Sequence, residues 1–296
     1  EYMCGIVGIY LKSEKFESSL GKMLSKMLVN MGSRGPDSAG FAIYKKESNE
    51  EYKYSLCLND ISFEKLKNNL KNKINFSDIE ENSDHVVLKS KDNPKKVLEI
   101  ISKEFKEVSI VGYGKSIEIF KQVGEPKDVV KKFNLESFSG THGIGHTRMA
   151  TESAITTDGS HPYSTGEDEC LVHNGSLSNH NNLRRKLKKD GINFNSENDT
   201  EVAAGYISSN LSNKKTLKET LKKGLNDLDG FYTFITGTRK GFAVLRDEIA
   251  CKPAVIAETD DYVAIASEFQ AMAHLPNVNS AKIFEPEPGV VYSWGN

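Results

Sequence analysis

The chain has 296 residues, enough for one large or two small domains with a substantial core. Charged residues make up 27% and hydrophobic ones 38%, and the net charge of -2 implies no basic face for nucleic acid. Four scattered cysteines (Cys4, Cys57, Cys170, Cys251) form no CxxC pair, which argues against a zinc site and a disulfide framework and for a reducing cytosol.

"MCGIVGIYL" predicts a strand near the start. Phe16, Leu20, Met23, Leu24, Met27, Leu28 and Met31 then recur at three- and four-residue steps, which predicts an amphipathic helix. "SRGPDSAG" is a loop of breakers and "FAIYKK" a second strand. Residues 50–138 are rich in Lys, Asn and Glu, with strand candidates "YKYSLCL", "HVVLKS", "EVSIVGYG" and "SIEIFKQ" between lysine-rich helices. They are expected to form an α/β insertion, and a docking or regulatory surface is its expected use. Charge runs such as "KLKNNLKNK" read as solvated helix faces. From 139 onward come "GTHGIGHTRMATES", "ECLVHNGSLSN", "GFYTFITGT", "GFAVLRD", "PAVIAET" and "YVAIASE", with helices expected near 179–190, 200–212 and 215–226. Helices falling in blocks predict a layered α+β fold rather than a doubly wound sheet. No apolar run approaches the roughly 18 residues of a membrane span, and no signal segment is evident.

Singly, the polar candidates have bland readings. A lone Cys4 is a small buried hydrophobe. Arg148 is an ion-pair partner, and Asn174-Gly175 is a tight turn. Asp199 reads as a helix N-cap with Thr200 and Glu201 in the first turn. His146 and His173 read as backbone holders inside strands, and His142, His161, His180 and His274 receive no role. Cys251 reads as structural, with Lys252-Pro253 in a loop under the site, and Cys57 and Cys170 as core-facing strand residues.

In combination and in order, "CGIVGIY", "SRGPDSAG", "GIGHTRMAT", "VHNGSLSNH", "NDTEV", "DLDGFYTFI" and "LRDEIACKP" followed by "AIASE" resemble the class II, N-terminal-nucleophile glutamine amidotransferases. "TTDGSHP", "CLVHNGSLSNHNNLRR", "DEIACKPAVIAETDDYVA" and "EPEPGVVYSWG" are most similar to the free-standing amidotransferase subunit of archaeal-type glutamate synthase and N-methylglutamate synthase. The resemblance implies an α+β, four-layer αββα sandwich over residues 4–296, the N-terminal-nucleophile hydrolase fold, with the 50–138 insertion inside it.

It also implies a chemistry that the residues suit. An N-terminal cysteine carries its own base, because its α-amine, with a pKa of about 7.7–8.0, lies close to the thiol's value of about 8.5. Cys4 would attack the glutamine carboxamide, release ammonia and pass through a thioester to glutamate. By the family's motifs, the Asn174 side chain and the Gly175 N–H would hold the oxyanion. Arg148 would take the substrate α-carboxylate bidentately, Asp199 the α-ammonium, and Thr151 a further substrate contact. Met149 stands where many relatives have an aromatic residue, and Glu152-Ser153 where some have His-Gly. Both changes argue against hexosamine-phosphate synthesis.

With Met3 attached, the Cys4 nitrogen is an amide and no base. Residues 1–3 are therefore expected to be a leader, Met3 the initiator and Glu1-Tyr2 added upstream, with a short native propeptide as the alternative. No P-loop and no GxGxxG opening a βαβ unit occur, so no nucleotide site is expected. No cofactor is expected on this chain. The expected partner is a separate cytoplasmic synthase subunit of a glutamate-synthase-like complex, on which FMN and iron–sulfur clusters are expected. The alternatives are the same glutaminase feeding N-methylglutamate synthesis or another acceptor, and a non-catalytic module for assembly or glutamine sensing.

Overall fold

The computed structural model describes residues 4–47, 50–150 and 155–295. In chain order the elements begin with β1 (Gly5–Leu11), α1 (Leu20–Asn30), β2 (Ser38–Tyr44), β3 (Tyr52–Leu58), α2 (Phe63–Leu70), β4 (Phe76–Asn82) and β5 (His85–Ser90). Next come α3 (Pro94–Glu104), β6 (Val108–Gly114), β7 (Ile117–Val123), α4 (Pro126–Lys132), β8 (His142–Arg148) and β9 (Cys170–Leu177). The chain continues through α5 (His180–Lys189), α6 (Asp199–Ser212), α7 (Leu217–Asp227), β10 (Gly230–Thr238) and β11 (Gly241–Arg246). It closes with β12 (Val255–Glu258), β13 (Tyr262–Ala266), β14 (Lys282–Phe284) and β15 (Val291–Trp294). The expected α+β class and the three expected helices after residue 179 agree with this order.

Three sheets form. A seven-stranded sheet runs β14-β12-β13-β1-β8-β2-β7, a four-stranded sheet runs β15-β11-β10-β9, and a third runs β4-β5-β3-β6. Every ladder among the described residues is antiparallel. The apolar spacing of α1 buries Leu20, Met23, Leu24, Met27 and Leu28 in one cluster with Val7, Ile9, Phe41 and Ala264 of the first sheet. Ile6, Ile144 and Ile265 of the first sheet share a second cluster with Val172, Ile235 and Val244 of the second sheet. A third cluster joins Leu171, Phe234 and Leu245 to Leu187, Val202, Ile207 and Leu221 of α5, α6 and α7. Strands with apolar partners on both sides have no polar face to show. That explains the near-continuous apolar runs of β10 and β13.

The expected insertion does not lie in one piece. Residues 52–114 build the third sheet, whose own core holds Tyr54, Leu56, Leu66, Leu88, Val97 and Ile101. Ile117–Val123, however, pairs with β2 in the first sheet, and α4 packs on α1. The switch is made by Asp168, whose carboxylate accepts the N–H groups of Lys115, Ser116 and Ile117 at 3.0, 2.8 and 3.0 Å. That partner lies about fifty residues away, so β6 and β7 read locally as one hairpin. β4 ("FSDIEEN") was not expected, because its polar residues sit on an exposed face.

Candidate active site

Cys4 stands at the head of β1, half-buried, where β1 lies between β13 and β8. Gly5 pairs with Thr147, so the cysteine is held next to the end of β8. Its Sγ lies 3.8 Å from the Met149 carbonyl oxygen. Burial pushes the thiol pKa up; a backbone hydrogen bond at Met149 and the positive charges of Arg148 and Lys252 pull it back. Arg148 itself is buried at the last position of β8.

The loop "SRGPD" clamps this corner. Arg34 donates from Nε to the Cys4 carbonyl at 3.3 Å and from Nη1 to Glu268, an ion pair with the residue that ends "AIASE". Asp37 accepts the Ala150 N–H at 2.8 Å, and its own N–H donates to the Arg148 carbonyl at 3.1 Å. Gly35 lies flush against β8: a Cβ there would come within 2.5 Å of the Thr147 carbonyl group and 2.6 Å of the Arg148 nitrogen. The loop's breakers are therefore contacts, and only glycine fits at that point.

Asn174 and Gly175 sit on β9 in the second sheet. The Asn174 side chain is 3% exposed, and its Nδ2 has no hydrogen-bond partner among the described residues. A buried amide N–H without an acceptor costs stability, so it marks a place where an acceptor belongs. Gly175 adopts φ 142°, and a Cβ would lie 2.0 Å from the Phe231 carbonyl oxygen, so the strand reaches the surface there with no side chain in the way.

Asp199 is the first residue of α6, not its cap. The N-cap is Asn198, whose Oδ1 accepts the Thr200 N–H at 2.9 Å. Asp199 is thereby released from capping, and its Oδ2 accepts the Leu177 N–H at 2.8 Å, tying the helix start to the end of β9. Its Oδ1 lies 3.8 Å from His173 Nδ1.

Two groups of expected residues thus form, Cys4 with Arg148 and Asn174-Gly175 with Asp199. Lys252 links them, since its charge acts on both the Cys4 thiol and the His173 ring. A hydrogen bond of 3.0 Å from His146 Nε2 to the His173 carbonyl joins β8 to β9 directly. Thr151 lies outside the described residues, as do Glu152-Ser153 and the leader 1–3.

Cys251 departs from its expected structural place and is exposed, whereas Cys57 and Cys170 are core residues as read. Sequence reading missed Arg34, Asp37, Lys252 and Glu268. None was given a chemical role, though Lys252 was placed in a loop under the site. For Arg34, Asp37 and Lys252 a charged residue beside Gly or Pro in a short loop was the available signal, and Glu268 had none. Among the described residues, no group of His, Cys, Asp and Glu has the makings of a metal site.

Fold and site, at the seam between the first two sheets, define a class: an α+β protein with a thiol at the head of a central strand and, on a second antiparallel sheet, a buried amide without a partner among the described residues. A glutamine amidotransferase domain model matches residues 146–274. The glutamine amidotransferase-like protein GlxB of Rhizobium meliloti (strain 1021) is 51% identical over 295 residues, which cover 99% of this chain and 98% of GlxB. A Methanothermobacter thermautotrophicus protein, provisionally named a glutamine amidotransferase, is 31% identical over 305 residues, 98% of this chain and 99% of its own. The glutamine phosphoribosylpyrophosphate amidotransferase of B. subtilis, solved with ADP and GMP, shares the fold at TM-score 0.63 and 22% identity. The match covers 98% of this chain and 47% of that one, so this chain spans about half the length of that solved structure. The chain belongs to the class II glutamine amidotransferase family. Glutaminase domains of this class need no cofactor.

Proposed function

We propose that this chain hydrolyses L-glutamine to glutamate and ammonia, with Cys4 as the nucleophile. The observation that carries the reading is the buried Nδ2 of Asn174, without a partner among the described residues, beside Gly175 at φ 142°. Such a donor pair suits an oxyanion that exists only during reaction. In this reading the Cys4 sulfur adds to the γ-carboxamide carbon, and Asn174 Nδ2 and the Gly175 N–H receive the negative oxygen. The thiol proton passes through the free α-amine of Cys4 to the departing nitrogen, which leaves as ammonia. Water then cleaves the thioester, giving glutamate and restoring the thiol. Arg148, the last residue of β8, whose carbonyl accepts the Asp37 N–H, binds the α-carboxylate, and Asp199 accepts from the α-ammonium. Thr151 is assigned a further substrate contact.

The amine can act only when residues 1–3 are gone, so Cys4 is the first residue of the working enzyme in this reading. Each of the three apolar clusters joins one layer to the next, and this supports a four-layer αββα sandwich. The ammonia goes to a separate synthase subunit of a glutamate-synthase-like complex, inferred from the sequence likeness of the motif blocks. Flavin and iron–sulfur chemistry would reside on that partner in the cytoplasm.

The test compares ammonia release from glutamine by three preparations: the chain beginning at Cys4, the chain retaining Glu1-Tyr2-Met3, and the Cys4→Ala form. Turnover is expected in the first alone. Equal release by the Cys4→Ala protein would remove the nucleophile assignment, and equal release by the leader-bearing chain would remove the amine from the mechanism. Co-purification of a flavoprotein with the tagged chain is the corresponding check on the partner.

A further inference from the structure

Three imidazoles lie buried behind the seam and are unused by the mechanism above. His146 and His161 stack with ring centroids 3.7 Å apart and planes 11° from parallel. His161 Nε2 and His173 Nδ1 each lie 2.9 Å from Thr200 Oγ1. The Thr200 hydroxyl in turn donates to Asp199 Oδ1 at 3.4 Å. The three histidines and Thr200 are at most 4% exposed.

A hydroxyl has one hydrogen, and a carboxylate can only accept it. With that hydrogen on Asp199, both rings must donate to the Thr200 oxygen, so His161 carries its proton on Nε2 and His173 on Nδ1. His146 donates from Nε2 to the His173 carbonyl. The remaining nitrogens, His146 Nδ1, His161 Nδ1 and His173 Nε2, are buried without partners among the described residues, as bare lone pairs would be. One proton per ring, each with a fixed acceptor, makes a self-consistent neutral network. Burial agrees with it: desolvation holds the His146 pKa down to about 3, and pushes His161 and His173 below the usual range.

The placement of the members matters most. His146 is two residues before Arg148, on the same side of β8. His173 immediately precedes Asn174, and Thr200 immediately follows Asp199. We propose that Thr200, fed by His161 and His173, is a positioning residue that aims the Asp199 carboxylate at the substrate α-ammonium, and that this neutral network sets selectivity for α-amino acid amides. Neutrality is part of the device. A charged imidazolium at 3.8 Å would pair with Asp199 and compete with the ammonium, whereas a neutral N–H relayed through a hydroxyl orients the carboxylate and leaves its charge available. Oδ2 is already held by Leu177, so Thr200 fixes the remaining rotation.

The inference rests on the glutaminase reading, and its test separates the two. Glutamine and glutaramate, the same amide without the α-ammonium, are hydrolysed by the chain beginning at Cys4 and by its Thr200→Val and Thr200→Ser forms. In Thr200→Val, KM for glutamine is expected to rise about tenfold with kcat within about twofold, while the weak glutaramate kcat/KM stays unchanged. Thr200→Ser restores the hydroxyl and is expected to restore KM. His161→Phe keeps the stack but deletes one N–H, and is expected to raise KM by about threefold in the same pattern. It decides the matter if Thr200→Val does not fold. Parallel loss on both amides, or an unchanged KM for glutamine, would overturn the proposal. Absence of glutamine turnover in the unsubstituted chain would overturn the glutaminase reading beneath it.

Discussion

The seam between the first two sheets and the third sheet are built from the same kinds of strand, yet they leave buried polar groups open to different extents. In the third sheet the helices are capped in ordinary fashion. Ser62 Oγ accepts the Lys65 N–H at 3.4 Å, and Asn93 Oδ1 accepts the Lys95 N–H at 3.0 Å with Pro94 in the first turn. Charges such as Lys89 and Asp78 meet at its surface at 2.7 Å, while Lys53 pairs with Glu118 of β7 in the interior. Tyr54 Oη and His85 Nε2 are its buried polar atoms without a partner among the described residues. At the seam, Arg34, Ser38, His146, His161, His173 and Asn174 each keep a buried polar atom with no hydrogen-bond partner among the described residues. A fold tolerates such atoms where something else offsets their cost. The difference teaches where to look for function: in unfinished hydrogen bonding, more than in the size of a cavity.

The comparison predicts that the two regions fail differently. Asn174→Ala deletes a donor that has no partner among the described residues of the resting chain. It is expected to lower kcat for glutamine by about 10²–10³ while the melting temperature stays near the parent value. Steady-state kinetics beside a thermal melt checks this. A large fall in Tm would mean that the amide holds the fold, and the contrast between the regions would break.

Ile101→Ala is the converse. Ile101 is fully buried in the third sheet's core with Leu66 and Val97, so its truncation leaves a cavity and is expected to cost about 2–5 kcal/mol. Measured by urea unfolding, that loss should appear with KM and kcat per folded molecule unchanged. A changed KM would show that the third sheet reaches the seam.

Much of this was legible from residues alone, and the reasons differ. β1, α1 and the helices after residue 179 follow apolar periodicity, which is local. Cys4, Arg148, Asn174, Gly175 and Asp199 could be named because their motif blocks resemble a known family in content and order, and the roles given to them are the proposal above. The split of the 50–138 stretch was not legible, since it depends on Asp168 capturing three N–H groups from a distant part of the chain. The cap of α6 was misread by one residue because Asn198 and Asp199 are equally good caps in sequence, and only the pull of the Leu177 N–H on Asp199 distinguishes them. The histidine network was invisible for a similar reason. Four residues on β8, β9, α6 and the stretch before β9 become neighbours only when two sheets stack.

Glu169 tests whether a buried titratable group outside the seam is merely tolerated. Its carboxyl sits between β9 and α6 with Oε2 buried and unpartnered among the described residues, and burial raises its pKa from an ordinary 4.5 to about 7. The folded state therefore prefers the protonated acid. An acid whose folded pKa is raised binds its proton longer in the fold than in the unfolded chain. Its contribution is thus fully present below pH 4.5 and lost as the pH climbs through 7. Across that window, stability should fall by up to about 1.4 kcal/mol per pH unit from this group, before discounting for its partial exposure. Glu169→Gln keeps the shape and removes the titration. It is expected to match the parent near pH 4.5, to be the more stable form above pH 7, and to leave KM for glutamine unchanged. Urea unfolding at both pH values checks the sign. An equal pH dependence in the two proteins would place the charge in solvent, and a shifted KM would draw Glu169 into the seam and narrow the distinction between the regions.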